Sequence, residues 1–216
     1  MSPDAVDNSP DIVLRAGDVV ACFGTSAAAR VISWGTASAI APRGLRVGPS
    51  HVAIICEHRG RSLWVESTTL CEHRCEVRGR PAAGVQAHPP GRRINDYVAA
   101  GGRVDVYRFT GLAALSVEER TLLHRLLVGH LLGSLPGSGG GHYDLGGAVV
   151  SGTRLLRLLK GAELNALFCS ELVAAVLMRL GRMNHANPAR FHPARLLREL
   201  VRTGKVVRVA SLRQAG

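Results

Sequence analysis

The alternation of apolar and polar positions marks several strands. Gly17-Asp18 reads as a turn feeding a short buried strand, Val19 to Phe23, and Ser26 to Trp34 has the composition of a short helix. A loop with Pro42, Gly44, Gly48 and Pro49 then delivers the chain to a hairpin: Ser50 to Glu57, a turn at His58 to Arg61, and Ser62 to Thr68. Segment 71–102, rich in proline, glycine and charge, reads as an irregular excursion before another strand, Arg103 to Phe109.

Helical spacing dominates the second half. Ser116-Val-Glu-Glu119 is a capping box, and Leu122, Leu123, Leu126, Leu127 and Leu131 keep the helical period up to a stop at Gly133. Leu135 to Gly147 is a glycine-rich loop carrying His142, Tyr143 and Asp144, without the Lys-Ser/Thr ending of a phosphate loop. A helix is expected over Ala148 to Leu159. A stronger one is expected to start close to Cys169, with Leu172, Val173, Val176, Leu177 and Leu180 on one face. Pro193 opens a last helix, and Lys205 to Leu212 reads as the final strand. These elements predict an α+β fold, a curved antiparallel sheet of five or six strands with the Cys169 helix packed against it. Residues 1–12 read as a flexible tail and 13–216 as a single domain.

Two positions stand out chemically. The first turn of a helix favours a thiolate, and there Cys169 would have unpaired amides around it for an oxyanion; the same spacing also suits an inert buried cysteine. His51 opens a strand at the mouth of the sheet. With the turn centred between Arg59 and Gly60, His51 lies opposite Thr68 and Ala53 opposite Glu66. His51 and Glu66 then share a face as diagonal neighbours, roughly 7–8 Å apart at the backbone, close enough for the carboxylate to hold one imidazole nitrogen. Trp64 shares that face and sets the carboxylate beside an apolar ring.

Gly17-Asp18, Ser50-His51-Val-Ala-Ile, Val65-Glu66-Ser67 and Phe168-Cys169-Ser170-Glu171-Leu172-Val173, in this order over about 160 residues, resemble the circularly permuted NlpC-like papain-fold hydrolases, in particular the YiiX/YebB-like branch. The resemblance implies a cysteine amidase or peptidase in which Cys169 attacks, His51 is general base and then acid, and Glu66 orients it. Cell-wall peptides are the substrate it suggests first. The permuted lecithin:retinol acyltransferase-like branch fits less well, because this chain has Phe-Cys-Ser-Glu around its cysteine and a glutamate as third member, but lipid ester or amide chemistry stays open. Tyr143, Ser50 and Ser170 are candidate substrate contacts. Ser170 and Glu171 read as first-turn helix residues, with the acid where the dipole favours it.

Charge widens the field. The formal net charge is +11, and Lys160 and Lys205 are the only lysines, so arginine supplies nearly all of it. An acidic polymer or an anionic lipid surface would be attracted, and a non-catalytic binder of an acidic ligand is the competing class. No recognition motif accompanies the charge, so no specific nucleic acid is expected.

Five cysteines and no secretory signal argue for free thiols, and no apolar run approaches the ~18 residues of a membrane span, so a soluble cytoplasmic protein is the default, with export by a dedicated system left open. Cys-Glu-His-Arg occurs at Cys56 to Arg59 and again at Cys71 to Arg74, which invites zinc. The hairpin, however, separates Cys56 from Cys71 by roughly 25 Å. Cys71, His73 and Cys75 lack an evident fourth ligand. No metal and no cofactor are expected. Trp34 and Trp64 read as core residues, and His124, His130, His185 and His192 show no partner pattern.

Overall fold

The computed structural model describes residues 13–68, 73–81, 84–133 and 163–214, with the side chains of the last segment from residue 169 onward. Its centre is one six-stranded antiparallel sheet, which matches the expected class. The strands are β1 (Val19–Phe23), β2 (His51–His58), β3 (Arg61–Thr68), β4 (Gly84–His88), β5 (Arg103–Phe109) and β6 (Val206–Arg213), in the order β4-β3-β2-β1-β5-β6. The expected tail, residues 1–12, and the helix expected at 148–159 lie outside the described residues.

The hairpin has the expected register. Ile54 pairs with Val65 and His58 with Arg61, across a two-residue turn in which Arg59 and Gly60 both have positive φ, 51° and 72°. Such a turn matches the right-handed strand twist, and a glycine at its second position removes half of the steric cost. Extended by one residue past Ile54 and Val65, this register sets Ala53 opposite Glu66.

Alternation along the strands divides the core into two layers. One face carries Val19, Ala21, Val52, Ile54 and Val65, covered by α4 (Glu163–Arg179) through Leu172, Val173, Val176 and Leu177, and by Leu196, Leu197 and Leu200 of α5 (Pro193–Arg202). The other carries Val20, Cys22, Ala53, Ile55 and Trp64 and is covered by α2 (Pro90–Ala99) through Ile94, Tyr97 and Val98. The segment read as irregular at 71–102 therefore holds both β4 and α2. Its paired prolines hid a helix that starts on proline, where the missing amide costs nothing.

Local signals were otherwise followed closely. Ser26 caps α1 (Ala27–Gly35), and Ser116 and Glu119 close the expected capping box of α3 (Val117–His124). Beyond His124 the chain widens into a π-helical segment, Arg125–Leu131, in which Leu126, Leu127 and Val128 are all buried. A wider turn lets three consecutive apolar residues face inward, which a 3.6-residue period does not. Trp34, expected in the core, is 76% exposed, because α1 buries little besides Ser33.

The loop into β2 is fixed by α5. The Arg198 guanidinium donates to the carbonyls of Thr36, Leu45 and Arg46 at 2.9–3.2 Å, and Gly48 lies against Ala194. A Cβ at Gly48 would stand 2.0 Å from Ala194 Cβ and 3.0 Å from its Cα. Gly48→Ala is expected to cost about 1–3 kcal/mol by overpacking, and to lower Tm by roughly 2–10 °C in calorimetry. An unchanged Tm would mean that loop and helix do not meet there.

Candidate active site

His51 stands at the first position of β2, where the preceding Ser50 ties the strand to its neighbour. Ser50 Oγ accepts from the Gly24 amide at 3.1 Å and donates to the Cys22 carbonyl at 3.2 Å. A candidate substrate contact, Ser50 thus has its hydroxyl occupied in holding the end of β1. The neighbouring ring is nearly buried, at 8% exposure, and Cys22 is its direct cross-strand partner.

Glu66 is wholly buried, and its Oε2 lies 2.7 Å from His51 Nε2. The diagonal pair expected from the hairpin is therefore in contact. Trp64 Nε1 donates to the same oxygen at 2.9 Å, so the indole gives a polar contact as well as an apolar wall. Arg93, which the sequence reading left without a role, donates from Nε to Glu66 Oε1 at 2.7 Å and from Nη2 to Oε2 at 3.3 Å. Burial pushes the carboxyl up in pKa, but the hydrogen bond and charge of His51, with the charge and hydrogen bond of Arg93, outweigh it and bring it down to about 2.

On its other side the His51 ring is hydrogen-bonded to the Cys169 side chain. Since Nε2 faces Glu66, the nitrogen left for sulfur is Nδ1. Burial opposes a charged ring, yet the charge and hydrogen bond of Cys169, followed by the hydrogen bond and charge of Glu66, push its pKa up to about 10. Cys169, His51 and Glu66, far apart in sequence, thus form one buried line of contacts. Tyr97 stacks on His51 at 6.3 Å and on Trp64 at 6.4 Å between ring centroids. Its hydroxyl hydrogen-bonds Cys22, whose thiol burial pushes far up and keeps protonated.

The placement of the cysteine departs from expectation. Helix α4 begins at Glu163, so Cys169 lies nearly two turns inside it rather than in the first turn. The dipole effect has fallen off there, and mid-helix amides are committed to carbonyls one turn back, so neither stabilises a thiolate or an oxyanion at Cys169. The imidazole is the group placed to do the former. Ser170 and Glu171 are likewise mid-helix and buried rather than first-turn residues. Among the described residues Glu171 Oε2 has no hydrogen-bond partner, and burial pushes its carboxyl up to about 7.

Tyr143 and Cys71 lie outside the described residues. The rest of the zinc reading disperses: His73 bonds Asp96 at 2.8 Å, and the buried Cys75 sulfur accepts from the Ala87 amide at 3.3 Å. Among the described residues no group of three or more His, Cys, Asp or Glu side chains is arranged to hold a metal ion. His124, expected to have no partner, lies with its Nε2 3.0 Å from His58 Nδ1 in a stacked pair, and His192 caps α5 by accepting from the Arg195 amide. Arg93 and Tyr97 were missed although Ile94, Tyr97 and Val98 have helical spacing behind Pro90; that spacing was the available signal.

These features define a mixed α+β protein whose six-stranded antiparallel sheet carries a histidine and a buried glutamate in contact, with a cysteine of the helix α4 beside the histidine. Among solved structures, the chain is similar to the one described as metalloprotein yiiX from Escherichia coli O157:H7, DUF1105, with a TM-score of 0.51 and 15% identity over 93% of this chain and 98% of that one. The fold is thus YiiX-like. No known family profile matches the sequence, and no curated protein does. Among the described residues no helix is long and apolar enough to cross a membrane.

Proposed function

We propose that the protein is a cysteine hydrolase that cleaves an amide bond through a thioester, with a permuted papain-like arrangement of its elements. The observation that carries this reading is the single His51 ring bonded to a thiol on one side and, at 2.7 Å, to a buried carboxylate on the other. A ring so held has a fixed orientation and proton, which is what a general base for a thiol requires. In the proposed reaction the Cys169 sulfur attacks the carbonyl carbon, and the proton held on His51 passes to the departing amine as the C–N bond breaks. Water, losing its proton to His51, then attacks the thioester carbon, releasing the acid and restoring the thiol. Glu66 stays ionised and holds the ring.

A peptide or isopeptide amide is the proposed substrate, with cell-wall peptides first because of the family resemblance. The +11 charge suits an acidic polymer or anionic lipid surface as the setting. Hydrolysis or acyl transfer on lipids would use the same thioester chemistry. The described neighbour is called a metalloprotein, but the residues of this site do not fit a metal: both Glu66 oxygens face the Arg93 guanidinium, a cation already in place. No step is assigned to one.

Cys169 has no exposed surface, so a small probe is the suitable test. Iodoacetamide near pH 7, followed by peptide mapping, is expected to alkylate Cys169 first, since Cys22 and Cys56 are buried with thiol pKa values pushed up. Cys169→Ala is expected to remove the fast label and His51→Ala to slow it about 100-fold or more. Equal labelling of wild type and both variants would leave the non-catalytic binding protein as the reading.

A further inference from the structure

Glu66 poses a problem that the triad alone does not solve. A carboxylate without exposed surface takes up a proton unless a cation and hydrogen bonds hold its charge. A neutral Glu66 would no longer stabilise an imidazolium at His51. The residue that meets this need is Arg93, whose planar fork spans both carboxylate oxygens, Nε to Oε1 at 2.7 Å and Nη2 to Oε2 at 3.3 Å.

Arg93 is itself held from two further directions. Its Nη1 donates to Asp96 Oδ2 at 2.6 Å, one turn along α2, and its Cζ lies 5.5 Å from the centroid of the Tyr97 ring, which also stacks on His51. With its side chain 11% exposed, it is fixed rather than free to swing into solvent. The groups facing Glu66 are therefore His51, Trp64 and Arg93; Asp96, with His73 on its Oδ2, and the buried His88 on β4 are the further titratable groups nearby, and Cys22 and Tyr97 are protonated.

We propose that Arg93 is a positioning residue of the active site, keeping Glu66 ionised and turned toward His51, and that α2 is thereby part of the catalytic machinery. This rests on the reading of Cys169 and His51 as the reactive pair. Arg93 reaches the reactive pair through the carboxylate that it grips.

The test is the pH profile of Cys169 alkylation by iodoacetamide between pH 4 and 10, for wild type, Arg93→Gln and Arg93→Lys. In the glutamine variant Glu66 loses the cation that fixes and charges it and holds the His51 imidazolium less well, so the acid limb of the alkylation profile is expected to move up by at least about one pH unit. On that limb labelling then slows about tenfold, and the difference closes at higher pH. Lysine restores the charge without the fork and is expected to recover more than half of the shift. A parallel loss at every pH, or an unmoved profile, overturns the proposal, because a purely structural role changes folding and not the titration. Should Arg93→Gln fail to fold, the lysine variant decides: a smaller shift in the same direction supports the role, and none removes it. A wild-type profile independent of His51 removes the hydrolase reading and this role together, whereas a His51-dependent profile unmoved at Arg93 removes this role alone.

Discussion

Glu66→Gln is expected to cut the rate of Cys169 acylation by about 10²–10⁴ and to destabilise the fold by about 3–5 kcal/mol in urea denaturation. The amide keeps the size of the side chain but loses its charge. It also turns an NH₂ group toward donors, because His51, Trp64 and Arg93 all donate to Glu66. Arg93 then loses the carboxylate that its fork spans and stays a mostly buried cation. A solvated strand glutamate would give a change within about 0.5 kcal/mol, and that result would remove the buried cluster from the account.

The same pair sets a pH signature. The Glu66 carboxyl lies at about 2 against an ordinary 4.5, so its contribution to stability is complete above pH 4.5 and is lost as the pH falls through 2. His51 lies at about 10 against 6.5, so its contribution is complete below pH 6.5 and is lost as the pH rises through 10. Both are full only between pH 4.5 and 6.5. The two shifts describe one interaction and are not summed. Glu66→Gln should flatten the acid side of the stability curve, and His51→Ala the alkaline side.

Glu171→Gln is expected to do the opposite and stabilise the protein at alkaline pH. Burial lifts the folded carboxyl to about 7 against 4.5, and among the described residues no donor reaches Oε2. Between these values the folded protein holds a proton that the unfolded chain has released. The wild type therefore loses stability as the pH rises above 4.5, and the whole penalty is in force above 7. Removing it should gain on the order of 2–3 kcal/mol at pH 8.5, or roughly 5–10 °C in Tm, and nothing below pH 4.5. A carboxylate in a first helical turn would behave in reverse, because the dipole stabilises its charge and glutamine would lower Tm at neutral pH. Thermal unfolding of wild type and variant at pH 4 and pH 8.5 distinguishes the two placements of Glu171, and with them the place where α4 begins.

That contrast also separates what could be read along the chain from what could not. Local patterns were sufficient for the β2–β3 hairpin, since alternation with a period of two and a two-residue turn at Arg59-Gly60 admit one register. That register alone set His51 and Glu66 on a common face. Ser116 with Glu119, and Pro193 before an apolar helical spacing, marked helix starts for the same reason: the partners are three or four residues apart. Helix α4 runs well ahead of Cys169 because the spacing of Leu172, Val173, Val176 and Leu177 marks the buried face of a helix and not its first residue. The sequence by itself singled out Cys169, His51 and Glu66 as candidates and set the last two on one face. Only tertiary structure decided that α2 lays Arg93 across Glu66, that the imidazole rather than a helix terminus faces the Cys169 sulfur, and that Glu171 is buried with no hydrogen bond to its Oε2 among the described residues. Ionisation in a core depends on which charges and how much water the packed neighbours leave beside a group, and no spacing along the chain encodes that.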